Sequence, residues 1–153
     1  MSNPGDQAVA EDQVPAGFKR LPTGLGFTDN LQPLYRKVSD ESVAFGLLVQ
    51  EQHSNTMDIC HGGVLMTLAD IAAASGVNQA RGVLAGSPTI NLSVDFIAAA
   101  RRGRWIEAQV NVPSIRRSFG FCDGVIRTSD RLVARFNGTF YFPDHQGLWR
   151  DGK

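Results

Sequence analysis

The run from His61 to Gln79, HGGVLMTLADIAAASGVNQ, contains one formally charged side chain, Asp70. Most aspartates are solvated surface groups, but no Lys, Arg or Glu shares the Asp70 face to keep it wet. A carboxylate in dry surroundings has its proton affinity shifted by desolvation and is suited to act as a general base or nucleophile. Nine to seven residues upstream lie His61, Gly62 and Gly63. Paired glycines at a helix start let a substrate approach the backbone closely. First-turn N–H groups lack intrahelical acceptors, so they can hold an anion or a developing oxyanion.

Spacing constrains how these groups cooperate. Gly62 and Asp70 are eight residues apart, or ~12 Å along a helix at ~1.5 Å per residue. Reacting groups must come within ~3 Å of one carbonyl, so one chain cannot supply both. If both act, they come from two subunits whose helices run antiparallel across a two-fold axis.

The elements that position these groups are legible from periodicity. Gly62–Gly63 start one long helix, with Gly76 and Asn78 as stop signals. At ~100° per residue, Val64, Leu65, Leu68, Ile71 and Ala72 share a face, and Asp70 points away, flanked by Met66, Thr67, Ala73 and Ala74. The alanine-rich back face predicts close approach of a second backbone, and so an oligomer. In TINLSVDF, Ile90, Leu92, Val94 and Phe96 alternate with Thr89, Asn91, Ser93 and Asp95, the pattern of a strand with one apolar face. SVAFGLLVQE (42–51), WIEAQVNV (105–112), FGFCDGVIR and LVARFNGTFYF read as further strands, the last two parted by a turn at Ser129–Asp130. Short spacings favour antiparallel hairpins. Residues 1–17 read as a mobile N-terminal arm, 18–143 as one domain and 144–153 as a C-terminal tail.

Composition narrows the function classes. Fifteen Lys plus Arg balance fifteen Asp plus Glu in 153 residues, so no global field draws the chain to nucleic acid or anionic membrane. No apolar run approaches the ~20 residues of a membrane span, and the N-terminus lacks the pattern of a secretory signal. Cys60 and Cys122 do not make a disulfide framework. The expectation is a cytoplasmic protein with reduced thiols.

The pattern N-x5-HGG-x4-LAD, from Asn55 to Asp70, followed by the alternating strand, resembles the hotdog-fold acyl-CoA thioesterases of the phenylacetate-pathway (PaaI-like) and hydroxybenzoyl-CoA type. The resemblance covers roughly residues 40–142. It implies an α+β fold with one long helix wrapped by a curved antiparallel sheet of five to six strands, assembled as dimers and dimers of dimers. It also implies hydrolysis of a CoA thioester at a site shared between subunits. Asp70 takes the place of the nucleophile or general base and Gly62 that of the amide polarising the thioester carbonyl. Asn55 matches the residue orienting carbonyl or water, and Thr89 the hydroxyl assisting the water. His61 shapes the helix start and can contact the thioester.

Coenzyme A is then part of the substrate, and neither a separate cofactor nor a metal is expected. Arg116 and Arg117 match basic residues that approach its phosphates, and planar guanidinium groups suit phosphate. Ser118 and Gly63 complete the expected coenzyme A contacts, with Arg101, Arg102 and Arg104 as weaker candidates. Many relatives carry Gly where this chain has Asp58, a carboxylate that repels anionic acyl groups or reshapes the loop.

Rival chemistries are less well formed. Cys60 beside His61 is not a favourable nucleophile–base pair, because adjacent side chains diverge. His53, Asp58, Cys60 and His61 lack recognised metal spacing. The loop DICH lacks the Asn-Pro pattern of hotdog hydratases. A non-catalytic acyl-CoA-binding protein would keep the arginines without needing Asp70. Val64, Met66, Phe96 and the aromatic FYF strand are candidates for the acyl pocket.

Overall fold

In the computed structural model, which describes residues 11–83 and 86–143, Asp70 rides on one long helix, α1 (Gly62–Arg81). Seven strands accompany it: β1 (Lys19–Arg20), β2 (Tyr35–Val38), β3 (Val43–Leu48), β4 (Thr89–Phe96), β5 (Trp105–Ile115), β6 (Phe119–Arg127) and β7 (Leu132–Tyr141). They form one antiparallel sheet in the order β1-β2-β3-β5-β6-β7-β4. The class is α+β, one helix laid across a single sheet, as expected.

The helix buries Leu65, Leu68, Ala69, Ala72, Ala73, Gly76 and Val77 against β3 through β7. Facing them are inward residues such as Phe45, Leu47, Ile106, Ala108, Ile126, Phe136 and Phe140. Each large side chain so buried contributes ~1.5–3 kcal/mol. Two expectations are corrected here. Gly76 does not stop the helix: a Cβ there would meet Val110 Cγ1 at 2.8 Å, so this glycine lets helix and sheet approach closely. The helix ends instead at Gly82, in the left-handed region (φ 74) with its N–H on the Asn78 and Gln79 carbonyls. On the back face, Ala73 is fully buried and Ala74 partly buried against the chain's own core, so at these positions this chain's sheet makes the close approach. The uncovered side of α1 is the stripe holding Met66 and the half-buried Asp70.

β1 and β2 were not anticipated, and they extend the sheet beyond β3. On the outer face, Trp105 packs against Phe18 and Tyr35, with ring centroids 5.1 and 5.5 Å away. Residues 11–17 of the expected arm include a 3-10 turn at Glu11–Gln13, and Gln13 and Pro15 border a hollow on this face with Trp105. Residues 1–10 of that arm, and the tail 144–153, lie outside the described residues.

Candidate active site

Asp70 and Thr89 meet. The Thr89 hydroxyl donates to Asp70 Oδ1 at 2.7 Å. Strict alternation would put Thr89 beside Asn91, Ser93 and Asp95 on the polar face, away from the helix. The register slips between Thr89, opposite Phe140, and Asn91, opposite Thr139. This bulge, at Ile90, breaks the alternation and re-aims Thr89.

The other end of the motif is built by a capped loop. Asn55 Oδ1 accepts the Met57 N–H at 2.9 Å and the Ile59 N–H at 3.4 Å, and the Asn55 N–H bonds the Ile59 carbonyl. The tight turn forces Asp58 into the left-handed region (φ 57), where glycine fits without strain and Asp is among the better substitutes. The Asp58 carboxylate faces Arg102, 3.4 Å from its Nε. His61 is the N-cap of α1: its Nδ1 accepts the Gly63 N–H at 2.8 Å. In the neutral ring this leaves the proton on Nε2. The Gly63 amide, expected to contact coenzyme A, is thereby committed to the cap.

Gly62 is left as the open donor. Its N–H has no acceptor among the described residues, and it stands at the positive end of a 20-residue helix. Gly62 and Asn55 line one hollow of about 320 Å³, walled by Leu65, Phe96 and the run from Ile97 to Ala100. Phe96 was a candidate for a pocket wall; the run from Ile97 to Ala100 was not foreseen, though the three consecutive alanines at 98–100 were visible in the sequence. The Phe96 ring stands 3.5 Å from where a Cβ on Gly62 would lie. Asp70 and Thr89 do not line this hollow, so within one chain the amide and the carboxylate face different spaces.

Remaining candidates fall in three groups. Arg116, Arg117 and Ser118 form the hairpin between β5 and β6; both arginines are exposed, and Ser118 accepts the Phe142 N–H through its carbonyl at 2.8 Å. The pairings Thr89–Phe140–Gly120 put this hairpin near Thr89 and Asp70, two strand spacings or ~10 Å away. Phe140 and Phe142 are core residues, 0 % and 2 % exposed, which removes them as lining of an open acyl pocket. Met66 and Phe96 are exposed, and Val64 is half-buried. Both cysteines are buried and free. Burial pushes the Cys60 thiol up to about 12, so it is protonated at neutral pH and is no nucleophile.

The sequence profile of the thioesterase superfamily matches residues 57–134 of this chain. The chain belongs to that superfamily. It is 30 % identical over 131 residues to the putative esterase PA0474 of Pseudomonas aeruginosa, covering 85 % of this chain and 98 % of that protein. The Escherichia coli PaaI protein of the phenylacetic acid degradation operon superposes with a TM-score of 0.70 at 22 % identity, covering 79 % of this chain and 86 % of that one. A hypothetical thioesterase from Streptococcus pneumoniae, solved with coenzyme A, gives 0.64 at 20 % identity, covering 71 % and 86 %. Superfamily membership and these superpositions make the helix-in-sheet arrangement a hotdog fold.

Proposed function

We propose that this thioesterase-superfamily protein hydrolyses an acyl-CoA thioester at a site assembled from two subunits. The observation that carries the reading is the pair of half-sites on one helix, the Thr89-bonded Asp70 and the open Gly62 N–H. The coenzyme A bound by the pneumococcal neighbour and the PaaI-like architecture support the substrate class. The uncovered Asp70 stripe of α1 and the outer edge of β4, with Ile90 and Phe96 more than half exposed, support a partner subunit on that side. The assembly is then a homodimer or a dimer of dimers.

In this reading the thioester carbonyl accepts the Gly62 N–H of one chain. Asp70 of the neighbouring chain takes a proton from water through its carboxylate as the water oxygen attacks the carbonyl carbon. Thr89 holds Oδ1 and fixes the carboxylate's orientation. The tetrahedral oxyanion is stabilised by the Gly62 amide and the helix terminus. Its collapse breaks the C–S bond, and the proton passes to the departing sulfur, giving free acid and coenzyme A. Asn55, on the wall of the Gly62 hollow, orients the carbonyl or the water, and Arg116 and Arg117 meet phosphate.

The test is thiol release from CoA esters running from acetyl through decanoyl to phenylacetyl and benzoyl. Wild type turns over at least one ester, and folded, oligomeric Asp70→Asn loses ~10²–10⁴ of that rate, the usual contribution of a positioned general base. Equal release by both proteins would make Asp70 structural. No release by wild type on any ester, with retained coenzyme A binding, would favour the non-catalytic binder.

A further inference from the structure

The entry to β4 is hydrogen-bonded to the helix at two points. The Thr89 hydroxyl donates to Asp70, and two residues earlier the Ser87 hydroxyl donates to Asn78 Oδ1 at 2.5 Å. Asp70 and Asn78 are eight residues apart on α1, or ~12 Å along its axis. Ser87 and Thr89 are joined by two residues of chain, which span at most ~7 Å. The side chains make up the difference, so this segment lies extended along the helix with little slack at either hydroxyl.

Both ends of the upper bond are fixed from behind. The Asn78 carbonyl accepts the Gly82 and Val83 N–H groups at 3.1 and 3.3 Å. The residue that reads as a stop signal thus closes the helix with its backbone and holds the approach to β4 with its side chain. Pro88, between the two hydroxyls, has a fixed φ and biases Ser87 toward extended backbone. The Pro88 carbonyl accepts the Tyr141 N–H from β7 at 2.9 Å. Thr89 then pairs with Phe140, just ahead of the bulge at Ile90. The bulge turns Thr89 toward the helix, and the Ser87–Asn78 bond upstream of it fixes how far along the helix Thr89 sits.

We infer that Asn78 and Ser87 are positioning residues for the hydrolysis, their hydrogen bond setting the place from which the Thr89 hydroxyl meets Asp70. They act through Thr89 and touch no reacting atom. Without the clamp the strand entry gains freedom, Thr89 leaves Asp70 Oδ1 for part of the time, and the carboxylate is aimed at water less often. The inference rests on the thioesterase reading and adds to it two residues outside the N-x5-HGG-x4-LAD pattern. A second tether at the same helix end serves as a comparison. Gln79 Nε2 donates to the Ser39 carbonyl at 2.7 Å, joining α1 to the turn between β2 and β3, which stand toward the opposite end of the sheet order from β4.

The experiment measures kcat and KM for thiol release from the CoA ester that wild type turns over fastest. The variants are Ser87→Ala, Asn78→Ala, Asn78→Asp and Gln79→Ala, each checked for melting temperature and oligomeric state. Ser87→Ala and Asn78→Ala lose about threefold in kcat with KM within about twofold, the pattern of a misplaced catalytic group rather than weakened substrate binding. Asn78→Asp, which keeps an acceptor for the Ser87 hydroxyl, recovers most of the loss. Gln79→Ala breaks the comparison tether and keeps wild-type kcat. On top of Thr89→Val, Ser87→Ala costs less than about 1.5-fold, because its effect passes through a hydroxyl already removed. The NMR order parameter of the Thr89 methyl group falls in Ser87→Ala and Asn78→Ala and is restored in Asn78→Asp. Wild-type kcat in both alanine variants, an undiminished loss on top of Thr89→Val, or an equal loss in Gln79→Ala overturns the inference while the thioesterase reading stands. A wild type that releases no thiol from any ester overturns both.

Discussion

The Thr89 hydroxyl reaches across from the edge strand to Asp70 Oδ1 on the central helix, 2.7 Å away and 19 residues earlier in the chain. A hydroxyl so placed keeps the carboxylate in one rotamer and aims the second oxygen. In the proposed mechanism that oxygen collects the proton of the attacking water.

Thr89→Val removes the donor at nearly constant volume. Because Thr89 is exposed at the end of β4, the fold should be little affected. The variant is expected to lose about tenfold in kcat with a small change in KM, since the contact orients the base rather than the ground-state substrate. Steady-state thiol release alongside a melting curve checks this. An unchanged kcat would reduce the contact to a structural one.

Gly76→Ala tests the helix–sheet contact. Helix propensity alone predicts a gain of ~0.8–1.0 kcal/mol. The added Cβ would lie 2.8 Å from Val110 Cγ1, and overpacking of a tight core typically costs 1–3 kcal/mol, so about 1 kcal/mol of net destabilisation is expected. Urea unfolding reads the sign directly. A stabilised variant would show that the helix has room to lift.

The interior histidine gives a pH prediction. His53 is fully buried, its Nδ1 accepts the Gln50 N–H at 3.1 Å, and its Nε2 has no hydrogen bond among the described residues. Burial lowers its pKa below the ordinary 6.5. As pH falls through 6.5 the unfolded chain takes up a proton that the folded chain refuses. Stability should therefore fall on acidification, this residue contributing a slope of at most about 1.4 kcal/mol per pH unit until its folded pKa is passed. Denaturant midpoints of wild type and His53→Gln from pH 8 to pH 5 test this. Identical slopes in the two proteins would contradict it.

Much of the fold was legible because it rests on local patterns. The alternation in 89–96 and 105–112 marks two-faced strands, and the run of small and apolar residues after Gly63, broken by Thr67 and Asp70, marks a buried helix. Legibility failed where tertiary contact overrides local preference. Gly76 reads as a stop, but it is a point of close packing. Ala73 and Ala74 read as part of a surface for another subunit, and this chain's own core buries the first and partly covers the second. Tyr35–Val38, short and half charged, becomes a strand only because β3 offers an edge. In the site, the motif spacing fixed Asp70 and the glycines on one helix. The bulge that turns Thr89 toward Asp70 leaves no mark in the sequence, and neither does the commitment of the Gly63 amide to His61. Asp58 was seen as a departure from relatives, and its φ of 57° gives the reason glycine suits that position.

The central claim, that amide and carboxylate come from different chains, can be tested by mixing two inactive subunits. Asp70→Asn removes the carboxylate. Gly62→Pro removes the open N–H at the first helical position, where proline is well tolerated, and His61 before it already has the extended ψ of 138° that proline requires. Each variant alone should release little thiol. Co-expressed in equal amounts, they should regain about a quarter of wild-type activity, because a random two-fold assembly pairs an intact amide with an intact carboxylate at one site in four. Mixed assemblies, confirmed by two distinct tags, that stay as inactive as the parents would place both groups in one chain and contradict the account.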